Sequence, residues 1–376
     1  MSIKIEVVKT KEDFNEFYKL PWKVYKNDAY WVPPLFSDIR DMFDKNKNPL
    51  FHHAQVESFI AKRDGEVVGR ISAIIDENSN KFHNEKTGFF GFFEVIEDYE
   101  VAVALFDKAK EWCKAKDMKI FRGPTNFTTN DECAFLLEGF DSSPMIMMTY
   151  NPKYYLDFAE KYGFKKAKDL YAFYRYAKDG IPERILKLAE RIKKRGNIKI
   201  RYLNMKKFDE ELNNIKDIYN SAWENNWGFI PMTDAEIEYM AKKLKPIIIP
   251  ELFHFAEVDG KAVAVSMALP NYNIVLKKLN GKLGPIEMLK FLFYKRKIDE
   301  VRLFGLGIKK EYQKKGIDVL FYCEIFDRVK ALGWKGGELS WILEDNSLMN
   351  DAIITMGGKV YKKYRIYEMP LDSIAP

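Results

Sequence analysis

The sequence predicts a mixed α/β protein built from two tandem copies of one fold, each a mixed sheet flanked by helices. Two observations carry this. Residues 59–73 and 254–268 each read as an apolar run, then Asp-Gly, then a second apolar run. The two glycines, Gly65 and Gly260, are 195 residues apart. Asp-Gly between apolar runs predicts a two-residue hairpin, because both turn residues need φ > 0. Further on, Tyr162-Gly163-Phe164-Lys165 and Met356-Gly357-Gly358-Lys359 each end a helical pattern at a glycine and pass into an aromatic strand. Their glycines Gly163 and Gly357 are 194 residues apart, and a C-cap glycine is the usual helix stop. Two features at nearly one offset point to internal repetition.

Taken in order, each half reads strand, helix, helix, strand, strand, strand, helix, strand, helix, strand. A hairpin followed by alternating helix and strand predicts a mixed sheet with helices on both faces. In the first half the long helix is predicted over 100–116, with strands at 119–122 and 170–176. In the second half the matching segments are 317–332, 337–343 and 364–369. The second half carries roughly 25 more residues before its long helix, around 271–300, and the first half has a similar excess at 124–148. The stretch Ala177-Lys-Asp-Gly-Ile-Pro182 interrupts the periodicity, which predicts domains at 1–178 and 179–376. The basic helix predicted at 183–195 reads as a solvated face, with a domain connector or a basic face toward an anion as the alternatives. The loop at 123–144 holds Asn126, Asn130, Asp131 and Glu132. A loop of this length serves either as a lid that reads an acceptor or as a packed surface.

Composition limits the function. With 376 residues, 47% hydrophobic and 31% charged, there is material for two cores, and a disordered protein is excluded. Lys plus Arg number 61 against 55 Asp plus Glu. That surplus permits an anionic ligand but does not argue for a nucleic-acid groove. Cys113, Cys133 and Cys323 are too scattered for a disulfide framework or a zinc site. The four histidines lack metal-ligand spacing, so no metal is expected. No secretory leader pattern and no 18-residue apolar run is visible, so a cytoplasmic location without a membrane partner is the expectation.

The segment that carries chemistry is 301–320, V-R-L-F-G-L-G-I-K-K-E-Y-Q-K-K-G-I-D-V-L. An apolar strand containing Gly305 and Gly307 leads through a lysine-rich loop to Gly316, which opens an amphipathic helix. Glycine inside a strand marks close approach of another chain or a ligand. Free N–H groups at the start of the helix, together with its dipole, make an anion trap. Gln313, Lys314 and Lys315 can add donors, and a pyrophosphate would fit. An ordinary strand-to-helix loop with solvated lysines is the alternative. Neither the Walker pattern nor a dinucleotide fingerprint is present.

Residues 307–318 resemble motif A of the GNAT N-acetyltransferase superfamily, [Q/R]-x-x-G-x-[G/A]. Gln313 and Gly316 match, whereas Asp318 departs from the small residue. The segment beginning at Asn346 resembles the family's next motif, an Asn opening a helix that ends in Gly-Phe; here Gly358 replaces the Phe. The chain as a whole is similar to a bacterial group of tandem GNAT-like proteins through Tyr30-Trp-Val-Pro-Pro34, Val68-Gly-Arg-Ile71, Gly123-Pro-Thr-Asn126, Gly139-Phe-Asp141 and Tyr150-Asn-Pro-Lys-Tyr154. The resemblance implies an acyl-CoA N-acyltransferase, with acetyl-CoA first among the co-substrates and an amine acceptor. It implies that pantetheine pairs with the strand at Leu306, Gly307 and Ile308, and that the pyrophosphate rests on the loop from Gln313 through Lys314, Lys315 and Gly316 to Ile317 and Asp318, with Asn346 nearby. The matching segment of the first half lacks the motif, and its Glu94, Glu97, Asp98 and Glu100 would repel phosphate. One acyl-CoA site is therefore expected, in the second half, beside a degenerate first half.

Acyl transfer to an amine needs a base and, for the leaving thiolate, a proton donor. The family's tyrosine acid maps to Ile353 and is missing. Glu344 is the candidate base, with a helix-start carboxylate facing solvent as the alternative, and Ser340 is placed on the strand that lines the pocket. Two other function classes are compatible with these residues: a non-catalytic acyl-CoA-binding regulator and an aminoacyl-tRNA-dependent transferase.

Overall fold

The computed structural model describes residues 2–372. In the first part of the chain the elements are β1 (Ile3–Val7), α1 (Lys11–Val24), α2 (Phe36–Phe43), β2 (Ala54–Arg63), β3 (Glu66–Asp76), α3 (Glu77–His83), β4 (Thr87–Val95), α4 (Tyr99–Lys114), β5 (Ile120–Gly123), β6 (Thr125–Asn126), β7 (Glu132–Cys133), β8 (Phe135–Glu138) and α5 (Tyr154–Tyr162). They continue with β9 (Lys165–Tyr176), α6 (Glu183–Lys194), β10 (Lys199–Tyr202), α7 (Phe208–Trp223), α8 (Asp234–Leu244), β11 (Phe253–Val258), β12 (Lys261–Pro270), α9 (Asn273–Leu279) and α10 (Pro285–Lys295). The chain closes with β13 (Glu300–Ile308), α11 (Ile317–Ala331), β14 (Gly336–Leu343), α12 (Ser347–Thr355) and β15 (Lys359–Pro370).

Both predicted hairpins form. Asp64 and Gly65 have φ of 52° and 82°, and Asp259 and Gly260 have 52° and 74°, so each turn is the left-handed two-residue type that Asp-Gly favours. Arg63 pairs with Glu66 and Val258 with Lys261. Each hairpin also carries a bulge just before its turn, at Ala61/Lys62 and at Ala256/Glu257. The repeat thus extends to backbone irregularities that the residues do not display.

The chain forms two compact units. One gathers residues 2–169 with 276–289 and 362–372; the other gathers 170–275 and 290–361. In the first unit β1, β2, β3, β4, β5 and β15 lie in that order, with β4 and β5 parallel. Its core is aromatic: Phe90 packs on Phe106, Phe121 and Phe164, and Phe93 stacks on Phe106 at 4.5 Å. In the second unit the order is β9, β14, β13, β12, β11, β10, with β13 and β14 parallel. Ile317 and Phe321 of α11 pack there on Ala256, Val263 and Ala264.

These units do not divide at 178/179. Residues 170–176 of β9 pair with β14 in the second unit, and residues 367–370 of β15 pair with β5 in the first. Each half's terminal strand completes the other half's sheet. Gly180 and Pro182 mark a local break in periodicity, but strand pairing is non-local and leaves no mark in a short window of sequence.

Candidate active site

In the second unit β13 and β14 pair only from Glu300↔Gly336 to Leu303↔Leu339. Beyond that point β13 stays with β12, through Leu306↔Ser266, Gly307↔Val265 and Ile308↔Ala264. β14 stays with β9, through Ile342↔Tyr171 and Leu343↔Leu170. The register of β13 on β12 shifts at Met267/Ala268, and that of β14 on β9 at Leu339/Ile342. Such irregularities bend a strand away from its neighbour. The edge of residues 304–308 that faces β14 is therefore left without a strand partner, as an extended ligand with amide groups requires.

Of the two partners expected to approach the glycines of this strand, another chain segment or a ligand, the structure shows the first. A Cβ on Gly307 would lie 2.3 Å from Cζ3 of Trp223, and one on Gly305 would lie 2.6 Å from Cε of Met267. The close approach they allow is that of α7 and of β12.

The loop after β13 is built as predicted in outline. Lys309 is held by Asp217 of α7 and Lys310 by Glu224, the C-cap of that helix, and the Gln313 side chain donates to the Ile308 carbonyl at 3.2 Å. Lys314 and Gly316 both have positive φ, 60° and 82°. Gly316 is the N-cap of α11 and supplies no side-chain cap, so no N-cap side chain competes for the first-turn N–H groups that an anion site needs. A Cβ on Gly316 would lie 2.3 Å from Cδ1 of Ile192 on α6. The glycine therefore keeps α6 close, and a side chain there would meet protein before it met phosphate.

Asp318 works against the anion site. Its carboxylate is raised above its ordinary pKa by burial, opposed by hydrogen bonds from the N–H groups of Val319 and of Asp318 itself. Two of the first-turn donors are thus engaged by an acidic side chain.

Among the candidates on β14 and α12, Ser340 is buried and fully engaged: Arg302 Nε donates to its Oγ at 2.8 Å, and that hydroxyl donates to Glu338 at 2.5 Å. Tyr361 bonds the other Glu338 oxygen. In this arrangement Ser340 fastens β13 to β14 and does not face the open edge. Asn346 caps α12, its Oδ1 accepting from Met349 N at 3.2 Å. Glu344 stands half-buried in the turn between β14 and α12, and Asn350 holds that turn by donating to the Leu343 and Glu344 carbonyls. Ile353 is buried and contributes no acid.

A tyrosine not expected from sequence lies close by. Tyr322, one turn into α11 from Asp318, is nearly buried, and its hydroxyl donates to the sulfur of Met349 at 2.9 Å. Burial and the nearby Asp318 raise its pKa above the ordinary tyrosine value. It borders a small apolar cleft whose walls include Leu303, Phe326, Val329, Leu339, Ile353 and Met356. Its signal in the sequence was a lone polar tip on the apolar face of the motif helix, four residues after Asp318.

The corresponding region of the first unit is closed by its own chain. Asn126 Oδ1 accepts from Phe92 N at 2.7 Å, and a Cβ on Gly91 would lie 1.7 Å from the Thr125 carbonyl oxygen. The N-terminus of α4 is capped by Asp98, which pairs with Arg63. The 123–144 segment, expected as a lid or a packed surface, is in part a packed filler of this unit. Sequence reasoning also missed its buried cluster, in which Tyr155 donates to Glu94 at 2.8 Å while Arg70 lies 3.8 Å from the same carboxylate.

No family model matches the chain. It is 36% identical over 374 residues to a bacterial ceramide synthase of Caulobacter vibrioides, spanning 97% of this chain and 96% of that protein. It is 33% identical over 371 residues to protein YghO of Escherichia coli, spanning 95% and 93%. Among solved structures it resembles a tandem GNAT protein from the clavulanic acid biosynthesis pathway, with TM-score 0.59, 10% identity, and coverage of 99% of this chain and 100% of that one. A GCN5-related N-acetyltransferase from Sphaerobacter thermophilus aligns with TM-score 0.52, 12% identity, and coverage of 100% and 96%. The chain belongs to the family that includes the bacterial ceramide synthase and YghO, and its fold is that of a tandem GNAT protein.

Proposed function

We propose that this member of the tandem GNAT-like family transfers an acyl group from a coenzyme A thioester to an amine, in its second unit. The observation that carries the proposal is the strand edge at 304–308, left without a partner beside β14 and leading into the uncapped start of α11. Backbone groups of that edge would pair with pantetheine amides. The loop from Gln313 to Ile317 would hold the pyrophosphate, with Asp318 limiting the affinity.

In the reaction the amine nitrogen bonds to the thioester carbonyl carbon and the carbon–sulfur bond breaks. One proton leaves the nitrogen and one reaches the sulfur. Strand N–H groups of the open edge are suited to hold the carbonyl oxygen as charge develops. Glu344 is assigned as the base that receives the amine proton. Tyr322 is assigned as the donor to sulfur, replacing the absent tyrosine at Ile353. Ser340 is assigned a positioning role between Arg302 and Glu338.

The donor is proposed to carry a chain longer than acetyl, and the acceptor to be a long-chain amine. Two observations support this: the apolar cleft beside Tyr322, and the name of the relative, which describes a synthase of ceramide. The three cysteines are free and buried, which suits a reducing, cytoplasmic setting. The test is thiol release by the purified chain with acyl-CoAs of graded length and a panel of amines. The proposal expects turnover that rises with chain length and falls in Glu344→Gln. Tight coenzyme A binding with no turnover on any pair would replace it with a non-catalytic acyl-CoA-binding role.

A further inference from the structure

The helix α10 presents its apolar face to solvent. None of its residues is buried; Ile286 is 67% exposed, Leu289 69% and Phe293 56%, with Met288 and Leu292 close behind. At about 100° per residue these five side chains fall within one arc of about 160°. Glu287, Phe291 and Tyr294 lie on the opposite side and are half-buried, and the Phe291 ring stacks on Tyr272 at 6.0 Å. A helix on the surface of a soluble domain shows the reverse pattern, apolar toward the body and polar outward. A contiguous apolar surface of this kind marks a place that something covers.

The charge around the arc says what covers it. Lys290 and Lys295 border it on its two sides. Lys282 precedes the helix and Arg296 and Lys297 follow it, against Glu287 as the single acidic residue between 282 and 297. Lysine stems can lie along an apolar surface while their charged ends reach outward to anionic groups. A partner that took this helix in a groove would read a narrow stripe at i, i+3, i+4 and i+7, whereas this arc is wide and rimmed by cations. We propose that α10 is a membrane-surface helix, seating its apolar arc at the headgroup–acyl boundary of an anionic bilayer. It does not span: among the described residues no helix is long and apolar enough to cross a membrane. The helix falls within the stretch by which the second half exceeds the first, so neither copy of the repeated fold requires it. The expectation of no membrane partner is replaced, for the bilayer surface, by this assignment. The proposal stands independently of the acyl-transfer reading.

The test is co-sedimentation of the full chain, without substrate, with vesicles of phosphatidylcholine containing about 30% phosphatidylglycerol. Wild-type chain is expected to pellet with them, to partition several-fold less onto phosphatidylcholine alone, and to weaken in about 0.5 M salt. The double variant Leu289→Asp/Phe293→Asp is expected to partition at least tenfold less, with unchanged circular dichroism and an unchanged urea midpoint. Absence of wild-type pelleting, or equal pelleting of the variant, overturns the proposal. So does a wild-type dimer in light scattering that the variant dissociates while neither form binds vesicles; that result would make the occupant a second copy of the chain.

Discussion

Gly316 lies against Ile192: a methyl group at its Cα would come within 2.3 Å of the isoleucine Cδ1. The contact ties the start of α11 to α6, and it changes what a mutation at the motif glycine reports. Gly316→Val combines this collision with a φ of 82° that β-branched residues avoid. It is expected to cost about 2 kcal/mol or more of stability. Adding Ile192→Ala should restore part of the loss, the part due to collision, while the backbone cost remains. Urea unfolding of the single and double variants measures both; a double variant no more stable than Gly316→Val would place the contact elsewhere.

Asp318 sets a second expectation. Its neutral form competes less with phosphate for the helix N-terminus, so coenzyme A should bind more tightly as the pH falls through its raised pKa. Asp318→Asn should bind roughly tenfold more tightly at neutral pH and lose most of that pH dependence. Isothermal titration across pH on both proteins decides it. Equal affinities would mean that the phosphates do not approach α11.

Tyr322→Phe keeps the ring in the cleft and removes the proton. The expected result is a drop in kcat of about 10- to 100-fold with KM little changed. Because coenzyme A thiolate is a tolerable leaving group near its own pKa of about 8.5, the deficit should shrink as pH rises. A variant with wild-type rates from about pH 6 to 9 would leave the sulfur to water.

His254 supplies a test of stability. It is fully buried beneath Phe321, and burial pushes its pKa from 6.5 down to about 4, opposed weakly by Glu324. The folded protein therefore binds fewer protons here than the unfolded chain. Stability is held above about pH 6.5 and lost progressively as the pH falls toward 4, by about 3 kcal/mol at the limit. His254→Leu should flatten this part of the pH–stability profile, read as the urea midpoint at about pH 7 and pH 4.5. An unchanged slope would assign the acid sensitivity to other groups.

What could be read in advance was local. Asp64-Gly65 and Asp259-Gly260 specify their turns with two residues each, and the glycine-to-helix step at Gly316 places the start of α11 at Ile317, where it is found. What escaped depends on residues far apart in the chain. The partner of Gly307 is Trp223, 84 positions earlier, so the sequence left open whether another segment or a ligand approaches it. Ser340 was placed in the pocket because strand alternation does not reveal that Arg302 and Glu338 enclose its hydroxyl. Tyr322 was passed over because an aromatic on the inner face of a helix ordinarily belongs to the core. The exposed face of α10 was missed for the opposite reason: an apolar helix is read as buried unless its surroundings are known.

The strand exchange imposes an order on synthesis. β5 emerges from the ribosome long before its neighbour at residues 367–370, and at about 5–20 residues per second the delay is roughly 10–50 s. Throughout that interval the nascent first half carries an open sheet edge of the kind that recruits unrelated chains. Neither gene half, expressed alone from a cut at 178/179, would encode a finished sheet, and each would keep the strand that belongs to its sibling. Maturation is therefore a joint event for the two units, and holdase chaperones that shield an unpaired strand should matter more to the yield of this protein than to that of a single-domain relative.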